Sequence, residues 1–144
     1  MEAMALEQLK KIEQLILDRE YRRALSELAK LIYKNQSPRY RAYYFLLLCN
    51  AKLHLGDYSI GEYLNFAINY YRTTAHNDKF ALAKYFQGWL FVSLGEHFDA
   101  REYFLESYSA YKRCKDHRGQ ARVLNHLSYV NLQLGYCEDA MTNL

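Results

Sequence analysis

The chain has 144 residues, half of them apolar, with fifteen Tyr and seven Phe but only one Pro and six Gly. That composition excludes a disordered polymer, which needs low hydrophobicity and high net charge. It also excludes an all-β sandwich, which needs turn residues roughly every 8–12 positions. A net charge of +3, from 19 basic and 16 acidic side chains, is too small for a protein that tracks a phosphate backbone.

In chain order, "MEAMALEQLKKIEQ" carries Glu2 and has no apolar stretch of the signal-peptide kind. Apolar spacing predicts helices over 4–17 and 21–35. "NQSPRY" then places Ser37 as an N-cap and Pro38 at the first helical position of a helix over 39–55. Its run "AYYFLLLCNA" (42–51) is about half the length that spans a bilayer. Further helices are expected at 58–74, 79–94 and 97–114, joined by Leu-Gly turns and by the polar loops "TAHNDKF" and "KDHRGQA". The last two are expected at 119–134 and from 137 to the end, with Gly135 between them.

Phrases recur along the chain. Small residues open the second helix of each pair at Ala24, Gly61, Ala100 and Ala140, at intervals of 37, 39 and 40. Five residues earlier come Gly56, Gly95 and Gly135, each after a Leu, and twelve earlier come Cys49, Gly88 and Ser128. A fixed period of this kind is the mark of stacked helix-turn-helix units, here about 1–37, 38–76, 77–116 and 117–144, with the last one truncated. One domain over 1–144 is expected, as a fragment of a longer array or larger protein.

These residues resemble tetratricopeptide repeats. Gly88-x2-Phe91 followed by Ala100-x3-Phe104 meets the repeat's pattern. The other units match more loosely: Gly61 stands in the alanine slot, Ser128 in the first glycine slot, and the first unit keeps "EYRRAL". The period near forty and "KDHRGQARVLNHLSYVNLQLG" are similar to the long-repeat subgroup. The resemblance implies an all-α, right-handed superhelical solenoid of about four units. It also implies a concave face, made by the first helix of each unit, that binds a protein or peptide. By the family's geometry, exposed inner positions fall at Tyr43, Leu46, Asn50, His54, Tyr85, Trp89, Arg122, Asn125, Tyr129 and Gln133, with Leu82 and Ser93 at the equivalent offsets of the third unit. The family's clamp for C-terminal carboxylates needs a Lys where Leu46 stands, so a chaperone-tail reader is not expected.

Aromatic anchors with amides and an Arg suit a peptide groove, although aromatics at helical spacing such as Tyr85, Phe86 and Trp89 equally describe a packed core. "YKRCKDHRGQAR" (111–122) is basic. It reads as a solvated corner between units, or as a seat for an acidic partner or nucleic acid. The five His form no H-E-x-x-H, no C-x-x-C occurs, and no nucleophile motif or phosphate loop is present. No metal, no cofactor and no enzymatic activity are expected. Cys49, Cys114 and Cys137 have no paired spacing and read as reduced thiols of a cytoplasmic protein.

The expected function is a protein–protein interaction scaffold, the regulatory part of a larger signalling or transcription protein. Alternatives are a domain sensing a peptide or small ligand, or a nucleic-acid-associated repeat. No membrane contact is expected. Leu127, Tyr129 and Leu134 are expected near an open end that favours a homodimer.

Overall fold

A computed structural model describes residues 2–142, with side chains described as far as Gly135. The described residues form helices and connecting turns, with no strand among them. The helices are α1 (Glu2–Leu17), α2 (Tyr21–Ala29), α3 (Pro38–His54), α4 (Gly61–Arg72), α5 (Asn77–Ser93), α6 (His97–Arg113) and α7 (His117–Thr142). None is long and apolar enough to cross a membrane. The chain divides into two compact units, Met1–Thr74 and Ala75–Leu144.

In the first unit α3 packs against α1, α2 and α4. Its start follows the sequence signal, since Ser37 Oγ accepts from the Tyr40 N–H at 3.2 Å and Pro38 occupies the first turn. Ten of its residues are buried, because α3 has neighbours on several sides. Leu9, Ile12 and Ile16 of α1 and Ala24 and Leu28 of α2 close over them, together with Tyr40, Tyr44, Phe45 and Leu47 of α3. The Tyr44 hydroxyl donates to the Leu28 carbonyl at 2.8 Å, so its polar end is satisfied inside this core.

Two boundaries depart from the predicted ones. Helix α2 ends at Ala29 and not near 35, and the loop after it turns Leu31 and Tyr33 onto the core, with Asn35 in the left-handed region at φ 67°. Helix α4 starts at Gly61, because Asp57 accepts from both the N–H and the Oγ of Ser59 and holds a turn there. Counted from each helix's cap, the position of Ala24 and Ala100 is therefore filled on α4 by Leu64. Gly61 lies exposed at the helix start with nothing near its missing Cβ, which removes it from the expected set of crossing points.

In the second unit α5 and α6 form an antiparallel pair, and α7 packs on both. The Leu-Gly turns before α4 and α6 work as the sequence suggests: Gly56 and Gly95 take φ of 78° and 77°. At the crossing, the Phe104 ring of α6 fills the space beside Gly88. Ser107, fully buried on α6, donates its hydroxyl to the Ala81 carbonyl at 2.6 Å. Lys84 is buried to its amine, which reaches Gln87 Oε1 at 2.8 Å and Glu106 at 3.3 Å and lies over the Tyr103 ring.

The expected break at Gly135 does not occur. Helix α7 runs unbroken from His117 to Thr142, through Gly135. The expected small-residue role of Ala140 lies outside the described side chains. A glycine inside a helix costs about 1 kcal/mol relative to Ala, which is too little to end a helix by itself.

Two substitutions separate these glycines. Gly88→Ala puts a Cβ 2.5–2.8 Å from three atoms of the buried Phe104 ring, so it should cost about 1–3 kcal/mol. This would be read as a lower urea midpoint at constant slope. Gly135→Ala meets nothing within 4 Å and should stabilise by up to about 1 kcal/mol. A loss of stability there would show that Gly135 works as a turn.

Candidate partner-binding surface

The expected inner positions of α3 separate into two kinds. Tyr43 and Leu46, expected to be exposed, are 7% and 2% accessible. Tyr43 is held inside because its hydroxyl donates to the Glu13 carboxylate of α1. Burial and then that carboxylate raise its pKa above the usual tyrosine value. Asn50 is half-buried, with its Oδ1 enclosed and without a hydrogen-bond partner. His54 is exposed and stacks on Tyr21 of α2 at 4.3 Å, with its Nδ1 2.9 Å from the Asn50 carbonyl oxygen.

On the second unit the structure brings Tyr85, Trp89 and Arg122 together around His126. Tyr85, also expected to be exposed, is 4% accessible because Phe104 of α6 and His126 of α7 close over it. His126 stands edge-on to Tyr85 at 5.0 Å and lies 5.5 Å from Phe104 and 6.0 Å from half-buried Trp89. The Arg122 guanidinium lies 5.0 Å above the Tyr85 ring, and its Nη2 donates to the Tyr111 hydroxyl at 3.0 Å. Tyr129 is 49% exposed and edge-on to His97 at 6.4 Å, Gln133 is half-buried, and Asn125 is exposed. Leu82 is half-buried and Ser93 exposed.

Arg122, His126, Tyr129 and Gln133 follow a four-three-four spacing, which lines them along one side of α7. Arg122 is the electrostatic centre of this strip. Burial pushes Tyr85 and Tyr111 up to about 12, and the nearby guanidinium opposes both shifts. Burial lowers the His126 pKa, with Arg122 adding its charge to the same effect and its carbonyl opposing it. At neutral pH the cluster is a neutral imidazole among three aromatic rings, with one cation at its edge.

The sequence reading passed over His126, which belongs to the strip through its spacing to Arg122 and Tyr129. In the basic stretch, Lys112, Arg113, Lys115, His117 and Arg118 are all exposed around the turn between α6 and α7. Asp116 there accepts from the Gly119 N–H at 2.9 Å and caps α7. Cys49 is buried and its thiol is pushed up to about 12, whereas Cys114 is exposed. Among the described residues no three His, Cys, Asp or Glu side chains are grouped as metal ligands. No family model, curated protein or solved structure matches the chain.

The His126 environment fixes a pH response. Above the ordinary histidine value of 6.5 the ring is neutral in folded and unfolded chains, and its packing contributes in full. As pH falls below that value the unfolded chain takes the proton first, so stability declines until the lower folded pKa is passed, then levels off. Denaturation midpoints measured on the acid side of 6.5 should fall less steeply in His126→Gln than in the parent chain.

Proposed function

We propose that the chain is a tetratricopeptide-like interaction module, built as a right-handed solenoid, that binds an extended or helical segment of a partner protein. In this reading it is the recognition part of a larger signalling or regulatory protein and carries out no chemistry itself. One observation carries the proposal: the α5–α7 strip, where Trp89, Tyr129 and Arg122 keep accessible surface over a packed bed of Tyr85, Phe104 and His126. Rigid aromatics and Arg are the residue types that dominate binding energy at protein interfaces, because they supply large contact areas at low entropic cost. The bed beneath them fixes their rotamers before a partner arrives, which lowers the ordering cost of association.

The repeat register supports the same reading. Gly88 and Phe104, both positions of the pattern, meet at the crossing of α5 and α6.

A peptide library screened by thermal shift tests this. A bound peptide at a hundredfold excess over its Kd should add about 2.7 kcal/mol of stability. Trp89→Ala and Arg122→Ala should each weaken that peptide at least tenfold, while the exposed control Ser109→Ala leaves it unchanged. Peptides that bind with equal affinity to Trp89→Ala would remove the strip from the recognition surface.

A further inference from the structure

The surplus charge of the chain sits in one place. Between Tyr111 and Arg122 five basic side chains, Lys112, Arg113, Lys115, Arg118 and Arg122, are set against Asp116 alone, an excess of four in a chain whose total excess is three. All five are exposed. Asp116 uses its carboxylate to accept from the Gly119 N–H at 2.9 Å. Lys10, Arg23, Lys30, Lys52 and Lys84 each pair with a carboxylate of the chain. Lys112, Arg113, Lys115 and Arg118 make no ion pair among the described residues.

Helix stability explains only part of this group. Lys112 and Arg113 lie in the last turn of α6, where the unpaired carbonyls favour cations. Arg118 lies in the first turn of α7, where the helix end is positive and a cation is disfavoured. Helices α1, α4, α5 and α6 instead place Glu2, Glu62, Asp78 and Asp99 in that turn. Lys115 takes φ 58°, a conformation that the chain gives to glycine at Gly56 and Gly95. Two of the cations thus work against the local fold, and such departures mark places with a role outside it.

These cations are continuous with the α5–α7 strip. Val123, Leu127, Val130 and Leu134 hold α7 to the second unit, so Leu127 and Leu134, expected at the open end, face the chain's own core. On another side Arg118 extends the strip by one turn. At 3.6 residues per turn Arg118, Arg122, His126, Tyr129 and Gln133 fall within about 80° of one another around the helix. Arg122 is the joint, because its guanidinium lies over Tyr85 and donates to the Tyr111 hydroxyl, which fixes one cation at the edge of the rings. From Arg118 to Tyr129 is about 17 Å at 1.5 Å per residue, a span that an extended peptide covers in about five residues.

We infer that the partner segment bound by the strip carries a run of Asp or Glu about five residues from its apolar anchor, and that the turn between α6 and α7 receives that run. The inference rests on the strip being the recognition surface and adds the chemistry of what it recognises. Trp89 and Tyr129 take the anchor. Lys115, Arg118 and Arg122 take the carboxylates, the two arginines through paired N–H donors. The partner is a protein and not a nucleic acid, because the cations occupy one turn and form no stripe, and the rest of the chain is close to neutral. Exposed ion pairs are weak in water and screened by salt, so the acidic run sets direction and selectivity while the anchor supplies most of the affinity.

Fluorescence anisotropy tests this with labelled peptides in which Trp-Leu is joined through about five Gly or Ser residues to a short run of Glu, of Gln or of Lys, each made in both chain directions. At low salt the better Glu peptide should bind the parent chain at least tenfold more tightly than its Gln counterpart, and at high salt the two should converge. Combining Lys115→Glu with Arg118→Glu should abolish the preference for Glu and transfer it to Lys, with the Gln peptide and the far-ultraviolet spectrum unchanged. Trp89→Ala should weaken all of them in proportion. Equal binding of Glu and Gln peptides, both still weakened by Trp89→Ala, overturns the inference and leaves the strip standing. Peptides that keep the Glu preference yet ignore Trp89→Ala sink the strip reading, and this inference with it. A Glu preference that survives the double reversal also overturns it, as does a failure of every Glu peptide to bind. So does a single-stranded DNA oligonucleotide that binds more tightly than the Glu peptides at the same salt and is lost in the double reversal.

Discussion

The contact between Phe104 and Gly88 sets the geometry of the whole second unit. A ring can lie against the α5 backbone only where no Cβ intervenes, and the space beside Gly88 is already filled by three ring atoms. This closeness brings Ser107 within 2.6 Å of the Ala81 carbonyl and lets Glu106 reach the buried Lys84 amine. Wider spacing between the helices would leave the Ser107 hydroxyl enclosed without its partner and take Glu106 from the Lys84 amine, and an unmet buried polar group costs about 1–3 kcal/mol. One glycine thus makes an arrangement with buried polar groups affordable. The same logic recurs where α6 meets α7, because the Tyr111 ring occupies the space beside Gly119. There the ring's hydroxyl accepts from Arg122 and ties the guanidinium to the edge of the aromatic cluster.

Helix ends were legible in the sequence where one residue does one job. Ser37 and Pro38 start α3, and Gly56 and Gly95 end helices in a conformation that other residues rarely adopt. The missed boundaries depend on partners distant in sequence or on local competition. Leu31 and Tyr33 leave the helical path because the core of the first unit offers them burial. Asp57 delays α4 by bonding to Ser59, so that Leu64 takes the place expected for Gly61. Gly135 shows the limit of the turn signal. Glycine permits a left-handed residue, but a helix reverses there only if the segment beyond gains more by packing back than by continuing.

The surface was legible in part, for a related reason. Tyr85 and Trp89 are one helical turn apart on the same face, and spacing alone cannot tell which is roofed over. Phe104 and His126 decide it, closing over Tyr85 while leaving Trp89 half-buried. Tyr43 went inside because Glu13, thirty residues earlier, accepts its proton in a hydrogen bond. His126 was passed over because a lone histidine on a helix carries no motif. Its meaning comes from Arg122 and Tyr129, one turn to either side.

Helix α7 presents three sides of different character. One side buries Val123, Leu127, Val130 and Leu134 and keeps the helix in place. A second carries Arg122, His126, Tyr129 and Gln133 beside the first helix of the preceding pair. The third has the offsets that α5 buries beneath α6, but its residues differ in kind. Counted back from Gly95 and Gly135, they are Lys84, Tyr85, Gly88, Phe91 and Val92 on α5 and Leu124, Asn125, Ser128, Asn131 and Leu132 on α7. The same offsets are therefore filled on α5 by a notch that accepts a ring and on α7 by small and apolar side chains left at the surface of the described residues.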